Sequence, residues 1–379
     1  MDLDLTDEQQ MLRDALRTLC EAEATTQVVR AAEQEPRAAD GLKRALAEMG
    51  VPGLRIAPAQ GGSGLGLTEL VVAFIELGRA LAPGAHFESG VVSAALLSAF
   101  ADRDSRAAAM LTGIADGSTS VVTAWQEEDG RIEPNSIQTT LRRDGEGWRA
   151  TGTKSFVAHA AMAKHLLLLA RHPEQANRTV LAIVSPSAGG IEAVPLPNLA
   201  DEPLSNLHFR DAPVEAVLGL EGGADAAWAA MFDQALVAMA ALAVGGAEKV
   251  LEITVKYASE REQFGKPIGG FQAIAHYLAD AAVLVEGARA LVYRAASAAD
   301  EGSDFRHFAQ MAKLKAGKIF RDVSATAIQV HGGLGFTTEA DPQLYYRRAK
   351  HQQLMYGDPA WLERRIGDTV LSGTHSVFA

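Results

Sequence analysis

The sequence predicts an α+β protein of three units: a helical N-terminal domain over residues 1–118, a β-domain over 119–222 and a helical C-terminal domain over 223–379. Three observations carry that expectation: a helical apolar period running to about residue 115, short β-rich runs beginning at Ser120, and the return of the helical period beyond the glycines at 219–223. With 379 residues, 48% of them hydrophobic, the chain can bury a core large enough for several such units.

Thr6 and Gln9 form a capping box, and Leu12, Leu16, Leu19 and Cys20 then recur at helical spacing, so an amphipathic helix opens the chain. Ala-, Leu- and Glu-rich segments continue the helical unit, broken at Pro52 and Gly53 and at the cluster Gly61, Gly62, Ser63, Gly64, Leu65, Gly66. That cluster reads as a turn rather than a phosphate cradle, because no strand precedes it and no Lys-Ser/Thr pair follows. Val121, Val122 and Thr123 begin the β-domain, and Thr139 and Leu141 alternate with polar neighbours up to a turn at 144–147. Further β-rich runs at 148–157, 165–171, 179–184 and 191–197 are separated by Gly, Pro, Asn and Ser. In the C-terminal unit Phe271, Ile274, Leu278 and Val285 fall on one helical stripe, and Met311, Leu314 and Val323 contribute to another. Tiny residues dominate 235–246, which suits close helix packing or leaves room beside the helix for a ligand.

Composition narrows the function. Against 35 basic residues stand 47 acidic ones, a formal charge of -12, which repels nucleic acid and anionic membrane surfaces. Cys20 is the single cysteine, so one chain can build neither a disulfide framework nor a thiolate metal site, and a reducing, cytoplasmic compartment is expected. The opening Met1, Asp2, Leu3 and Asp4 is acidic where an export or organelle leader would be basic. The longest apolar stretch, 235–247, is shorter than the roughly 20 residues a membrane span needs. His159, His165 and His276 lack metal-ligand spacing, so no metal site is expected.

Two C-terminal segments carry chemistry: residues 257–272, YASEREQFGKPIGGFQ, and residues 329–339, QVHGGLGFTTE. The first sets the fixed cation of Arg261 beside amide and aromatic groups; the second follows the Gln329 amide with glycines that let a backbone approach closely. Together they suit a pyrophosphate and an adenosine, although on spacing alone such groups at helix ends are more often solvated or capping.

These two segments resemble the flavin-binding signatures of the acyl-CoA dehydrogenase family, and 5–16, 59–66, 152–154 and 214–223 are similar to further landmarks of that family. The resemblance implies a helical N-terminal domain, a β-barrel-like middle domain and a C-terminal four-helix bundle. It also implies FAD bound across a subunit interface, with Arg261 on the pyrophosphate and Gln263, Phe264 and Gln272 beside it, while Gln329, Gly332 and Gly333 complete the neighbour's pocket. The same resemblance implies a dimer or tetramer of like or related chains, an acyl-CoA substrate and an electron-transfer flavoprotein as acceptor.

Other family positions are altered. The family removes the α-proton of an acyl-CoA with a carboxylate base, usually a glutamate before a glycine; here Tyr356 precedes Gly357, and the alternative position on the first bundle helix is Ala235. Asp233 should face away from Ala235, which leaves Asp358, two residues past the usual glutamate, as candidate base. Asp358-Pro359-Ala360-Trp361 also reads as an N-cap followed by Pro. On the flavin-ring side, residues 151–160 resemble the strand that presents Trp and Thr to the isoalloxazine but carry Phe156 and Ala158, and Gln126 stands at another ring contact, where its amide can still donate. Lys154 is expected to be solvated after a turn, and His331 to fill a variable slot without a role. Two functions follow: an acyl-CoA dehydrogenase working with a non-standard base, Asp358, or a partner subunit of a heteromeric α2β2-type dehydrogenase that supplies adenosine-side residues while the other chain carries the glutamate.

Overall fold

A computed structural model describes residues 4–175 and 177–372, so Met1, Asp2 and Leu3 of the acidic opening lie outside the described residues. In chain order, helices α1 (Asp7–Glu23), α2 (Thr26–Gln34), α3 (Asp40–Glu48), α4 (Leu67–Arg79), α5 (Ala94–Ser98) and α6 (Ser105–Ala115) come first. Strands β1 (Val121–Ala124), β2 (Thr140–Asp144), β3 (Gly147–Ala158), β4 (His165–Arg171), β5 (Thr179–Val184), β6 (Ile191–Pro195), β7 (Leu204–Val214) and β8 (Ala216–Leu218) follow. The rest is α7 (Asp225–Glu260), the short hairpin β9 (Glu262–Gln263) and β10 (Lys266–Pro267), then α8 (Gln272–Asp300), α9 (Arg306–His331), α10 (Pro342–Leu354) and α11 (Pro359–Leu371). By compactness the chain divides into one unit of Met1–Arg30, Gly66–Ala82 and Leu236–Ala379 and another of Ala31–Leu65 and Pro83–Ala235.

In the first unit the capping box forms as read: Thr6 Oγ1 accepts from Gln9 N at 3.3 Å, and Gln9 Oε1 accepts from Thr6 N at 3.1 Å. Leu16 and Cys20 are buried on that helix. An ionic ladder ties four helices together, with Arg17 on Glu76 (2.8 Å), Arg79 on Glu248 (3.1 Å) and Arg289 on Glu248 (2.8 Å). Every residue from Leu236 to Ala241 on α7 is buried.

The tiny residues of 235–246 serve close packing, which corrects the expectation of room beside this stretch. A Cβ on Gly245 would lie 1.9 Å from the Ile75 carbonyl oxygen of α4, one on Gly78 2.1 Å from that of Leu242, and one on Gly246 2.3 Å from the Phe320 ring. The space a ligand would need is filled by two backbones and an aromatic ring.

In the second unit the Gly61–Gly66 cluster is the turn expected: Ser63 N donates to Gly53 O (3.0 Å) and Gly64 N to Ile56 O (2.8 Å). Two four-stranded sheets, β1-β4-β5-β8 and β2-β3-β7-β6, share one core that includes Leu166, Leu168, Val180, Leu207 and Phe209. β1 runs parallel to β4, and the remaining ladders are antiparallel. β7 is central to its sheet, yet the sequence pattern marks no strand there, because the buried positions Leu204, Leu207, Phe209 and Ala212 slip phase twice. The slips accompany register shifts against β3 between Ala150 and Gly152 and between Lys154 and Val157.

Candidate functional site

The adenosine-side candidates are assembled where α7 and α9 end. Arg261 continues the last turn of α7, its N–H donating to Tyr257 O at 2.8 Å, and its own carbonyl accepts from Ile268 N at 2.8 Å to close the β9–β10 hairpin. The hairpin turns through Phe264 and Gly265, at φ 52 and 79, and leaves the Phe264 ring 93% exposed. Gln272 is the first residue of α8. On the other side α9 stops at His331 because Gly332 takes φ 62 and ψ -139. The Tyr257 and His331 rings stack at 4.1 Å between centroids and 21° between planes, which brings the two signature segments together.

Arg261, Gln263, Phe264, Gln272, Gln329, Gly332 and Gly333 are all exposed. No ion pair among the described residues takes the Arg261 guanidinium. A Cβ on Gly332 or Gly333 would meet nothing within 4 Å, so the backbone there is open to a ligand. The Gly332 N–H is spent on Gln329 O and Ile328 O, so an exposed guanidinium fork, the Gln329 amide and the Gly333 backbone form the donor set, one that suits a pyrophosphate and so fits the adenosine half of FAD. His331 is buried, its Nδ1–H donating to Ala327 O at 2.8 Å, and burial lowers its pKa.

The ring-side candidates lie in the other unit, and a buried ion pair organises them. Lys154 is 0% exposed, contrary to the solvated position expected of it. Its Nζ donates to Glu127 Oε1 at 2.8 Å and to Trp125 O at 3.1 Å. The same carboxylate accepts from Thr139 Oγ1 (2.6 Å), Thr139 N (2.9 Å) and Gln138 N (2.6 Å). Burial pushes the Lys154 amine down to about 8. At Glu127 burial pushes the carboxyl up, but the Lys154 charge and the hydrogen bonds from Lys154 and Thr139 outweigh it and hold the pKa below its ordinary value.

Gln126 sits between these anchors, half-buried, its carbonyl accepting from Ser155 N at 2.8 Å. Phe156 falls in the register shift of β3 at φ 56, with its ring 47% exposed, and Ala158 pairs with Leu204. The Gln126 side-chain amide can donate hydrogen bonds; the side chains of Phe156 and Ala158 can donate none.

At the base positions, Tyr356 is buried at φ 55, and Gly357 at φ 101 packs so that a Cβ would lie 2.8 Å from the Trp361 ring. Asp358 is the N-cap of α11: its exposed carboxylate accepts from Trp361 N at 2.9 Å, ahead of Pro359. Lys313 of α9, 1% exposed, donates to Gln352 O (2.9 Å) and Gln353 O (3.3 Å) just before this loop, and burial lowers its pKa to about 7. Ala235 is buried, and Asp233 is half-buried on the same helix. Sequence reasoning missed Glu88, a buried carboxylate that begins a π-helical turn, Glu88–Ser93. Such turns often mark functional sites, but they leave no periodic trace in a sequence. No metal-binding cluster of His, Cys, Asp or Glu occurs among the described residues.

Comparison with known proteins covers the chain in three parts. The acyl-CoA dehydrogenase N-terminal, middle and C-terminal domain models match residues 6–118, 122–212 and 221–371. Acryloyl-CoA reductase (NADH) of Anaerotignum propionicum is 30% identical, over 94% of this chain and 93% of that protein. A solved variant of the Tcur3481-Tcur3483 steroid ACAD is 31% identical with a TM-score of 0.85, covering 98% of this chain and 99% of the other. The ChsE4-ChsE5 complex of Mycobacterium tuberculosis is 26% identical with a TM-score of 0.88, covering 99% and 100%. With its helical N-terminal domain, middle sheet domain and helical C-terminal domain, the chain belongs to the acyl-CoA dehydrogenase family of FAD-dependent oxidoreductases.

Proposed function

We propose that this chain is one of two kinds of subunit in a heteromeric acyl-CoA dehydrogenase: it grips the adenosine half of FAD, and a homologous chain supplies the carboxylate base. The observation that carries the reading is an asymmetry. Arg261, Gln329, Gly332 and Gly333 are exposed and open, whereas Tyr356 and Ala235 stand at the base positions and the Asp358 carboxylate caps a helix. Bound FAD supplies the two-electron acceptor for α,β-dehydrogenation of an acyl-CoA thioester. In this chain Arg261 would hold the pyrophosphate with the Gly333 backbone beside it, and Gln263, Phe264, Gln272 and Gln329 would orient the adenosine.

Two further observations favour a partner. Two of the structurally similar proteins carry paired names, Tcur3481-Tcur3483 and ChsE4-ChsE5. Beyond the adenosine-side residues, the C-terminal domain also exposes large apolar side chains: Tyr277 (57%), Val283 (73%) and Leu284 (46%) on α8, and Phe336 (70%). An electron-transfer flavoprotein is the acceptor the family resemblance suggests.

The test is to purify the tagged chain alone and with the homologous chain that co-purifies from its native host, then add acyl-CoA anaerobically. The expected result is a colourless lone chain and a yellow complex that bleaches, with Arg261→Met lowering FAD affinity by about 10- to 100-fold. A lone yellow chain that bleaches, and stops bleaching as Asp358→Asn, would replace this reading with the non-standard base.

A further inference from the structure

We propose that His331 is the positioning residue of the pyrophosphate half-site, holding the end of α7 in register with the end of α9. The inference rests on the proposed adenosine-side function and deepens it. Arg261 directly follows α7 and Gln329 lies on α9, and neither donates to or accepts from the other in any hydrogen bond of the described residues. α7 and α9 pack at Gly246 and Phe320 further along, and at this end a ring pair joins the two segments. His331 is anchored to its own helix by Nδ1–H to Ala327 O (2.8 Å), and its face lies on Tyr257 at 4.1 Å. Tyr257 is tied to the cation through the backbone, since its carbonyl accepts from Arg261 N at 2.8 Å.

His331 also sets the glycine side. It directly precedes Gly332, whose positive φ ends the helix, and its Cβ is one of the atoms that close on Gly335, where an added Cβ would lie 2.7 Å from Ile328 O and 3.0 Å from His331 Cβ. The imidazole therefore bears on where the guanidinium emerges, through the stack on Tyr257, at the position from which the glycine backbone begins. A hydrophobic residue could fill the same space, but a non-planar one would not define the angle between the two segments. Because Nδ1 is committed to Ala327 and the ring is buried, His331 acts in its neutral form, and no proton transfer is asked of it.

The test measures FAD affinity of the assembled yellow complex by recovery of flavin fluorescence on dilution. Three variants are compared, His331→Ala, His331→Phe and Tyr257→Leu, each with its thermal midpoint recorded. Loss of one aromatic pair predicts FAD affinity roughly three- to tenfold weaker for His331→Ala and for Tyr257→Leu, and no further weakening when both are combined. His331→Phe keeps the stack and is expected within twofold of wild type. A merely structural role would lower the midpoint while leaving FAD affinity unmoved, and that result overturns the inference, as does a Phe variant as weak as the Ala variant. If His331→Ala does not assemble, Tyr257→Leu decides by the same two criteria. A wild-type complex without flavin would instead defeat the proposed function itself, so the two failures are told apart by colour.

Discussion

Lys154 gives up all of its water on folding and receives one carboxylate and one carbonyl in return, while Glu127 is saturated by four donors. Removing one partner strands the other, so Lys154→Met or Glu127→Gln should destabilise the β-domain by about 3 kcal/mol, measured by urea denaturation. The pH dependence has a definite sign. The folded amine titrates at about 8, below the ordinary 10.5, so between those values the unfolded chain binds more protons and stability rises with pH. Below about 8 both states are protonated and this contribution is flat. The wild type minus Lys154→Met difference in unfolding free energy should therefore climb from pH 8 to pH 10; parallel profiles would show that the amine titrates normally. None of this was legible in the sequence, where a lysine after a turn is usually solvated and its partner lies in the loop after β1 with no pattern linking the two. The reverse holds for Thr6, Gln9 and Asp358, whose capping bonds are local and could be read from spacing alone.

At the scale of elements, the crossing of α4 and α7 depends on two reciprocal glycines, Gly78 beneath Leu242 and Gly245 beneath Ile75. Each is met by backbone, which cannot rotate away as a side chain could. Gly245→Ala should therefore cost about 3 kcal/mol or more, seen as a lower thermal midpoint. Gly367 in α11 is the control: an added Cβ meets nothing within 4 Å, and Gly367→Ala should stabilise by about 0.5–1 kcal/mol. Equal effects at the two positions would mean that helix propensity, not the close approach, decides. A run of small residues is visible in a sequence, but whether it admits a helix or a ligand depends on what lies opposite, so the packing at 235–246 required the structure. Strands β4 and β5 were legible because each is one uninterrupted buried run. β7 was not, because its register shifts break the period of two on which a strand is recognised.

For the whole molecule, the order of helical, sheet and helical domains and the two signature segments were readable, since each depends on local composition or on a short fixed motif. What a single sequence cannot display is the surface left uncovered after folding. Tyr277 and Leu284 are seven residues apart on one stripe of α8, with Val283 beside them, and all three remain exposed although the chain carries a net charge of -12 that would favour polar surface. If this stripe is where a homologous chain docks, a charge placed at its most exposed member will be tolerated in the free subunit and costly in the assembly, because a desolvated carboxylate there would have no partner. Val283→Asp should accordingly leave helix content and thermal midpoint of the lone chain within about 0.5 kcal/mol of wild type. The same variant should cut recovery of the homologous chain by tenfold or more in co-purification, and flavin with it. Undiminished recovery would place the subunit contact elsewhere, and a variant that unfolds alone would mean that Val283 packs within its own bundle.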